Sequence, residues 1–370
     1  MLKHAASGFQ FLSIVLMMSW FSTWFMDNSW FHRIAALAAC GHGFSFQVRT
    51  HLKPILTVLL ITPFLTELLS SNLPPSVFFN PVVFLCLATI GYGFPILLLR
   101  EFAVRNRMGI PGLLCLGLLY GIINEGILAK TFYLAVGVPI DTFDRYGYVF
   151  GIGVPWAVTI SVWHSLHAML FPLFVTYYFF PAQRERPWLT GAIAILLIVP
   201  TVLINTLVFF TASKDRPPGL LSHYILMIAC MGFLVWLATK APRTGQFTSE
   251  PVFHLKPMAW GVANFLVLLL VPVLLSKARV VPALFYAYWA IVFVLVLRWL
   301  ARLSTIPLMT CVIFAIGDWL ITVLWAMPGA LGRAGMQQLA ADVVLFVAFA
   351  LLLARLRRDR SRSSLACPGL

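Results

Sequence analysis

Charge is what this chain lacks most. Of its 370 residues only 10% are Asp, Glu, Lys or Arg, while 61% are hydrophobic. Soluble domains carry about 25% charged residues, and a water-facing globule of this composition could not cover itself with polar surface. Cysteine is sparse too. The six (Cys40, Cys86, Cys115, Cys230, Cys311, Cys367) include no C-x-x-C pair and none has a histidine at metal-ligand spacing, so neither a disulfide framework nor a zinc ribbon is expected. G-x-S-x-G, a phosphate-cradling Walker loop, H-E-x-x-H and a glycine-rich dinucleotide turn are all missing, which removes the usual warrant for serine hydrolysis and nucleotide use. The net charge of +14 does not indicate nucleic acid, because Lys and Arg cluster at the ends of apolar runs rather than along a basic stripe.

What the chain has is long apolar runs. At about 20 residues per crossing, eleven candidate spans can be read: 9–26, 54–71, 76–99, 110–136, 148–180, 190–212, 219–239, 257–276, 281–301, 307–327 and 339–355. The expected fold is therefore all-α and polytopic, with about eleven transmembrane helices and a range of nine to twelve. The run Phe9–Met26 lacks a cleavage site and reads as a first membrane segment that stays attached. Span 148–180 is too long for one straight crossing, so it either tilts or begins with a separate piece at Gly151. Connections on one side hold 18 Lys and Arg against 7 on the other, which predicts the N-terminus outside and the arginine-rich tail in the cytoplasm. Residues 1–239 carry nearly all the intramembrane polar groups, 257–355 form a more apolar four-helix part, and 356–370 are a basic tail. The expected setting is the inner membrane of a prokaryote.

Polar side chains inside such spans cost roughly 2.5–3.5 kcal/mol near the bilayer centre and normally face a protein interior or a wet cavity. Glu125, in YGIINEGILAK, stands a dozen residues from either end of its run and is the leading candidate for proton exchange. Asn124 and Lys130 flank it. His164 and His167 are three apart on one helical face, and that spacing leaves a metal held by the two histidines open, although no cofactor is otherwise implied. His223 opens a later span; Glu67 and Asn205 are further intramembrane candidates. Asp318 reads as a hydrogen-bonding strut, and Arg100, Glu101 and Arg105 as an anchoring cluster at a membrane boundary.

The residues 124-NEGILA-129, 163-WHSLH-167 and 223-HYILM-227 resemble the motif order E-E-x-x-x-R, F-x-x-x-H, H-x-x-x-N of the CAAX prenyl-protease and bacteriocin-processing (Abi-like) membrane proteases. Asn124 stands for the first glutamate, Ala129 for the arginine, Trp163 for the phenylalanine and Met227 for the asparagine. The resemblance covers residues 120–230 and implies a peptidase in which Glu125 activates water, His167 positions it and His223 completes the site, with a membrane-associated peptide or lipidated substrate. The stretches LCLATIGYGFPILLLRE and LLYGIINEG are also similar to uncharacterised prokaryotic multi-pass proteins. Three functions remain open from sequence: an intramembrane hydrolase, a proton- or cation-linked carrier using the same Glu and His residues, and a non-catalytic scaffold. Besides the lipid bilayer no partner is required, and nucleic acid is not expected.

Overall fold

Proline and asparagine start the helices where the apolar runs begin. Asn80 caps one by accepting from the amides of Val82 and Val83 at 3.1 and 3.3 Å, with Pro81 in the first turn. Pro111, Pro155, Pro257 and Pro282 take equivalent first-turn places in others. The structure, a computed structural model, describes residues 43–366 apart from 136–142, 212–218, 242, 244–245 and 249–252. Candidate span 9–26 lies outside the described residues.

Among the described residues nine helical segments are long and apolar enough to cross a membrane, and a tenth is shorter. In chain order they are α1 (His51–Leu68), α2 (Pro81–Arg105), α3 (Ile110–Leu128), α4 (Val154–Phe179), the shorter α5 (Gly191–Leu207), α6 (Leu221–Lys240), α7 (Lys256–Lys277), α8 (Pro282–Leu300), α9 (Leu308–Gly329) and α10 (Met336–Ser361). They fall on ten of the eleven runs read from sequence. Two small strand pairs are added. A hairpin joins β1 (Tyr148–Val149) to β2 (Ile152–Gly153), and β3 (Gln246–Thr248) lies parallel to β4 (Thr305–Pro307). Helices from both sides of residues 240–256 share one buried cluster, in which Phe171 and Leu173 of α4 join Val312 and Trp319 of α9.

Two spans differ from their sequence limits. The run 110–136 stops being helical at Leu128, because Lys130 takes a left-handed conformation (φ 55°) before a short 3₁₀ turn at Thr131–Tyr133. Lys130 through Tyr133 nevertheless stay buried. The run 148–180 opens with the β1–β2 hairpin, so its helix begins only at Val154. At the hairpin tip Phe150 is 91% exposed.

α3 and α4 meet along small residues. A Cβ built at Gly117 would lie 2.5 Å from Ser165 Oγ, and one at Gly121 would lie 2.6 Å from the Ser161 Cα. Gly117-x-x-x-Gly121 on one helix thus faces Ser161-x-x-x-Ser165 on the other, a small-residue contact of the kind that lets membrane helices approach closely. Gly261 of α7 and Gly317 of α9 are pressed equally hard against the opposing carbonyls of Phe314 and Met258. Gly121→Ala is expected to destabilise by about 1–3 kcal/mol through overpacking, read as a lower thermal midpoint of the purified protein in detergent. Gly232→Ala, which meets nothing within 4 Å, serves as the control and leaves the midpoint unchanged or slightly raised.

Candidate functional site

Four residues past Gly121 comes Glu125, and three past Ser161 comes His164. The small-residue contact therefore brings these two side chains together: His164 Nε2 lies 3.0 Å from Glu125 Oε1, with the side chains 4% and 14% exposed. The other carboxylate oxygen of Glu125 accepts from the Thr131 hydroxyl at 2.5 Å, and Thr131 in turn accepts from the Trp156 indole N–H at 2.9 Å. The early end of α3 makes this possible, since the turn after Lys130 folds Thr131 back toward the carboxylate.

Two tyrosines frame the imidazole. The Tyr92 ring stacks on His164 at 6.0 Å and the Tyr120 ring meets it edge-on at 5.6 Å. The Tyr92 hydroxyl donates to Glu67 Oε1. Tyr120 donates to the Gly91 carbonyl at 2.5 Å and accepts from the Asn124 amide at 3.0 Å. Glu67 lies within electrostatic range of both His164 and Glu125. The outcome is one cluster of two carboxylates, one imidazole and two phenols drawn from α1 to α4. His164 Nδ1 is buried without a hydrogen-bond partner among the described residues.

The backbone is irregular at or next to four of these positions. Five π-helical turns occur among the described residues: Phe64–Leu68, Leu87–Gly91, Ile122–Leu128, Ser165–Leu170 and Leu266–Leu270. Glu67 and Glu125 sit inside two of them, Tyr92 follows another, and His164 precedes the fourth. Such turns are rare and concentrate at functional sites, because the wider turn redirects side chains and frees carbonyls. The Gly91 carbonyl that receives Tyr120 ends one of these turns.

His167 is not part of this cluster. It points instead to α9, where Nε2 lies 2.9 Å from Asp318 Oδ1, close but off the line of a directed hydrogen bond. Asn264 of α7 donates to the second oxygen of Asp318 at 2.7 Å. The His167 ring stacks on Trp163 at 3.6 Å, and its Nδ1 approaches the Trp163 carbonyl at 3.3 Å. A cleft of about 20 Å³ beside this pair is also lined by Thr159 and Leu268. Three-residue spacing puts both histidines on one face of an ideal helix, but the π turn between them sends each to a different carboxylate. Each histidine thus faces its own carboxylate, and among the described residues no group of three or more His, Cys, Asp or Glu gathers as metal ligands would.

His223 is likewise engaged elsewhere. Its Nδ1 accepts from the Leu220 amide at 3.0 Å and its Nε2 faces the Phe150 carbonyl at 2.6 Å, so one neutral tautomer satisfies both. The ring stacks on Tyr133 at 5.3 Å. This histidine ties the β1–β2 hairpin to the start of α6. Asn205 is half-buried on the helix that contains α5 and joins none of the hydrogen bonds at Glu125. Arg100 and Glu101, expected at the membrane boundary, are fully buried. Glu101 accepts from Arg105 and from the Trp188 amide, while Arg100 reaches the carbonyls of Gln183 and Arg184 and stacks on Trp188. The pair anchors the connection between α4 and α5.

Residues that sequence reading passed over are Tyr92, Tyr120, Thr131, Trp156 and Asn264. The small-residue repeat ending four places before Glu125 was the available signal for its partner, since it marks the face on which α3 is approached.

No match was found among curated proteins or among solved structures. A family model does match, over residues 56–366, and its description carries neither the CAAX protease resemblance nor any activity. The match spans most of the chain and agrees with its helical, membrane-crossing architecture: the protein belongs to an uncharacterised membrane protein family.

Proposed function

We propose that this protein is a proton-linked membrane carrier whose proton-binding centre is Glu125, His164 and Glu67. The observation that carries the reading is the direct contact of Glu125 with His164, continued through Tyr92 to Glu67, inside a bundle of membrane-crossing helices. Two carboxylates around a single imidazole at that depth are costly when both are charged. The cluster therefore shares its protons, and its charge changes by whole units as they arrive or leave. Adding or removing a proton changes the attraction between α3 and α4 at the point where the helices are closest. Helices already opened by π turns can respond with an alternative packing, which is the coupling a carrier needs. We place it in the cell membrane of a prokaryote, with the N-terminus outside and the basic tail inside.

A second reading is favoured by the same contact seen as a general-base pair. Thr131 fixes one oxygen of Glu125, His164 faces the other, and Nδ1 of His164 is available for a proton. That arrangement suits a membrane-embedded hydrolase acting on a peptide or lipidated substrate.

The test is Glu125→Gln beside wild type in proteoliposomes containing a pH-sensitive dye, challenged with a panel of small solutes and, separately, with membrane-associated peptides. The carrier reading expects solute-dependent proton movement that falls at least tenfold in the variant. Peptide cleavage lost in the variant, without proton movement, selects the hydrolase. Proton movement that is unaffected by Glu125→Gln overturns the carrier assignment, and no change in any assay points to a scaffold.

His223→Ala separates structure from chemistry. Loss of the two hydrogen bonds to Phe150 and Leu220 is expected to cost about 1–3 kcal/mol, seen as a lower thermal midpoint. Proton movement per folded molecule should stay near that of wild type.

A further inference from the structure

A cavity that shares no lining residue with the Glu125 cluster lies at the charged ends of α2 and α4. It measures about 240 Å³ and is lined by Arg107, Gly109, Tyr177, Arg184, Glu185 and Gln246, with Ala103, Val104, Met108, Leu113 and Phe247 forming apolar walls. Its volume suits a small headgroup rather than a drug-sized molecule.

Arginines are plentiful on this end of the protein, but most are already engaged. Arg100 is committed to Glu101, Tyr177 and two carbonyls, and Arg105 to Glu101 and the Leu189 carbonyl. The Arg107 side chain has no hydrogen-bond or ion-pair partner among the described residues. It is also presented by a fixed turn: φ is 51°, its amide donates to the Val104 carbonyl at 3.0 Å, and the Met108 amide donates to the Ala103 carbonyl at 2.9 Å. In the same lining the Arg184 guanidinium meets Glu185 at 3.1 Å, and the Glu185 side chain is 76% exposed. That carboxylate is the one acidic group in the lining. It stands in water at the rim, where its own pull on Arg184 is weak.

Other features of the lining favour an anion. The Tyr177 hydroxyl accepts from Arg100 Nε at 3.2 Å, which leaves its own proton to donate. Gly109 is the N-cap of the 19-residue α3, so the positive end of that helix borders the cavity. Phe247 packs on Phe174 and Tyr177 at 5.6 and 5.7 Å, and with Gln246 it closes one side through the β3–β4 pair. Two planar, five-donor guanidinium groups in one lining suit a tetrahedral oxyanion.

We propose that this cavity binds a phosphate-bearing anion between Arg107 and Arg184, either an anionic phospholipid headgroup or a small soluble phosphate ester. The apolar walls accept the glycerol carbons next to the phosphate, and the basic lining sets the selectivity. Zwitterionic phosphatidylcholine gains less, since its choline group would be brought up against the arginines.

The experiment uses the full chain in nanodiscs of phosphatidylcholine with or without phosphatidylglycerol. Native mass spectrometry counts the lipid retained, and glycerol 3-phosphate is titrated separately while thermal stability is followed. Retention of phosphatidylglycerol should fall roughly tenfold in the double variant R107Q/R184Q, and should not change in R302Q, which removes one charge, as R107Q does, at an exposed residue elsewhere. R107Q alone guards against misfolding of the double variant, because Arg107 supports no other contact. If glycerol 3-phosphate raises the unfolding temperature of wild type and not of the variants, while lipid retention is unaffected, the occupant is the soluble ester. The proposal fails if neither probe distinguishes wild type from both variants.

Discussion

Everything at the candidate site depends on how closely α3 and α4 approach. Lipid offers no hydrophobic drive for one helix to prefer another, so contact must come from packing. Gly117 and Gly121 lie against Ser161 and Ser165 with no room for a side chain between the backbones. The same turn then supplies Glu125 and His164. A larger residue at either glycine would cost packing energy and would also part a carboxylate from its imidazole, so fold and site share one constraint.

Around that seam the protein accepts irregular backbone repeatedly. Glu67, Glu125, Tyr92 and His164 sit in or beside widened turns, and α3 ends inside the bundle rather than at its edge. In lipid, a broken helix would strand backbone groups, and such breaks survive only where protein covers them. Here the covering is supplied by the site itself: Tyr120 takes up the Gly91 carbonyl, and Thr131 reaches back to Glu125. The polar cluster and the backbone irregularities stabilise each other.

The membrane-crossing architecture was legible because hydropathy alone determines it, and ten runs reappear as helices. Glu125 was legible as an anomaly for the same reason. Its partner was not. Helical periodicity treats His164 and His167 as equivalent, and a π turn, which leaves no mark in a hydropathy pattern, separates them. His167 was assigned to Glu125 through a motif likeness, yet the structure gives it to Asp318, a residue 151 positions away that sequence suggested only as a strut. The motif likeness implies that His223 completes the site, whereas the structure shows it engaged by backbone. Its two ring nitrogens are occupied by backbone atoms of Leu220 and Phe150, and contacts of that kind depend on loop geometry that residue identity does not encode. The aromatic partners Tyr92, Tyr120 and Trp156 were hidden because each is unremarkable in an apolar run until a polar neighbour is known.

The β1–β2 hairpin sits in the chain between the turn that bears Thr131 and the helix that bears His164. His223 grips it by the Phe150 carbonyl, while the Phe150 ring projects outward, 91% exposed. A ring that bare gains almost nothing from packing on protein, so Phe150 is fastened to the molecule by its main chain and not by its side chain. The hairpin that separates the Thr131 turn from the His164 helix is thus positioned from within the bundle, by backbone contacts, and its apolar tip is left to whatever surrounds the protein.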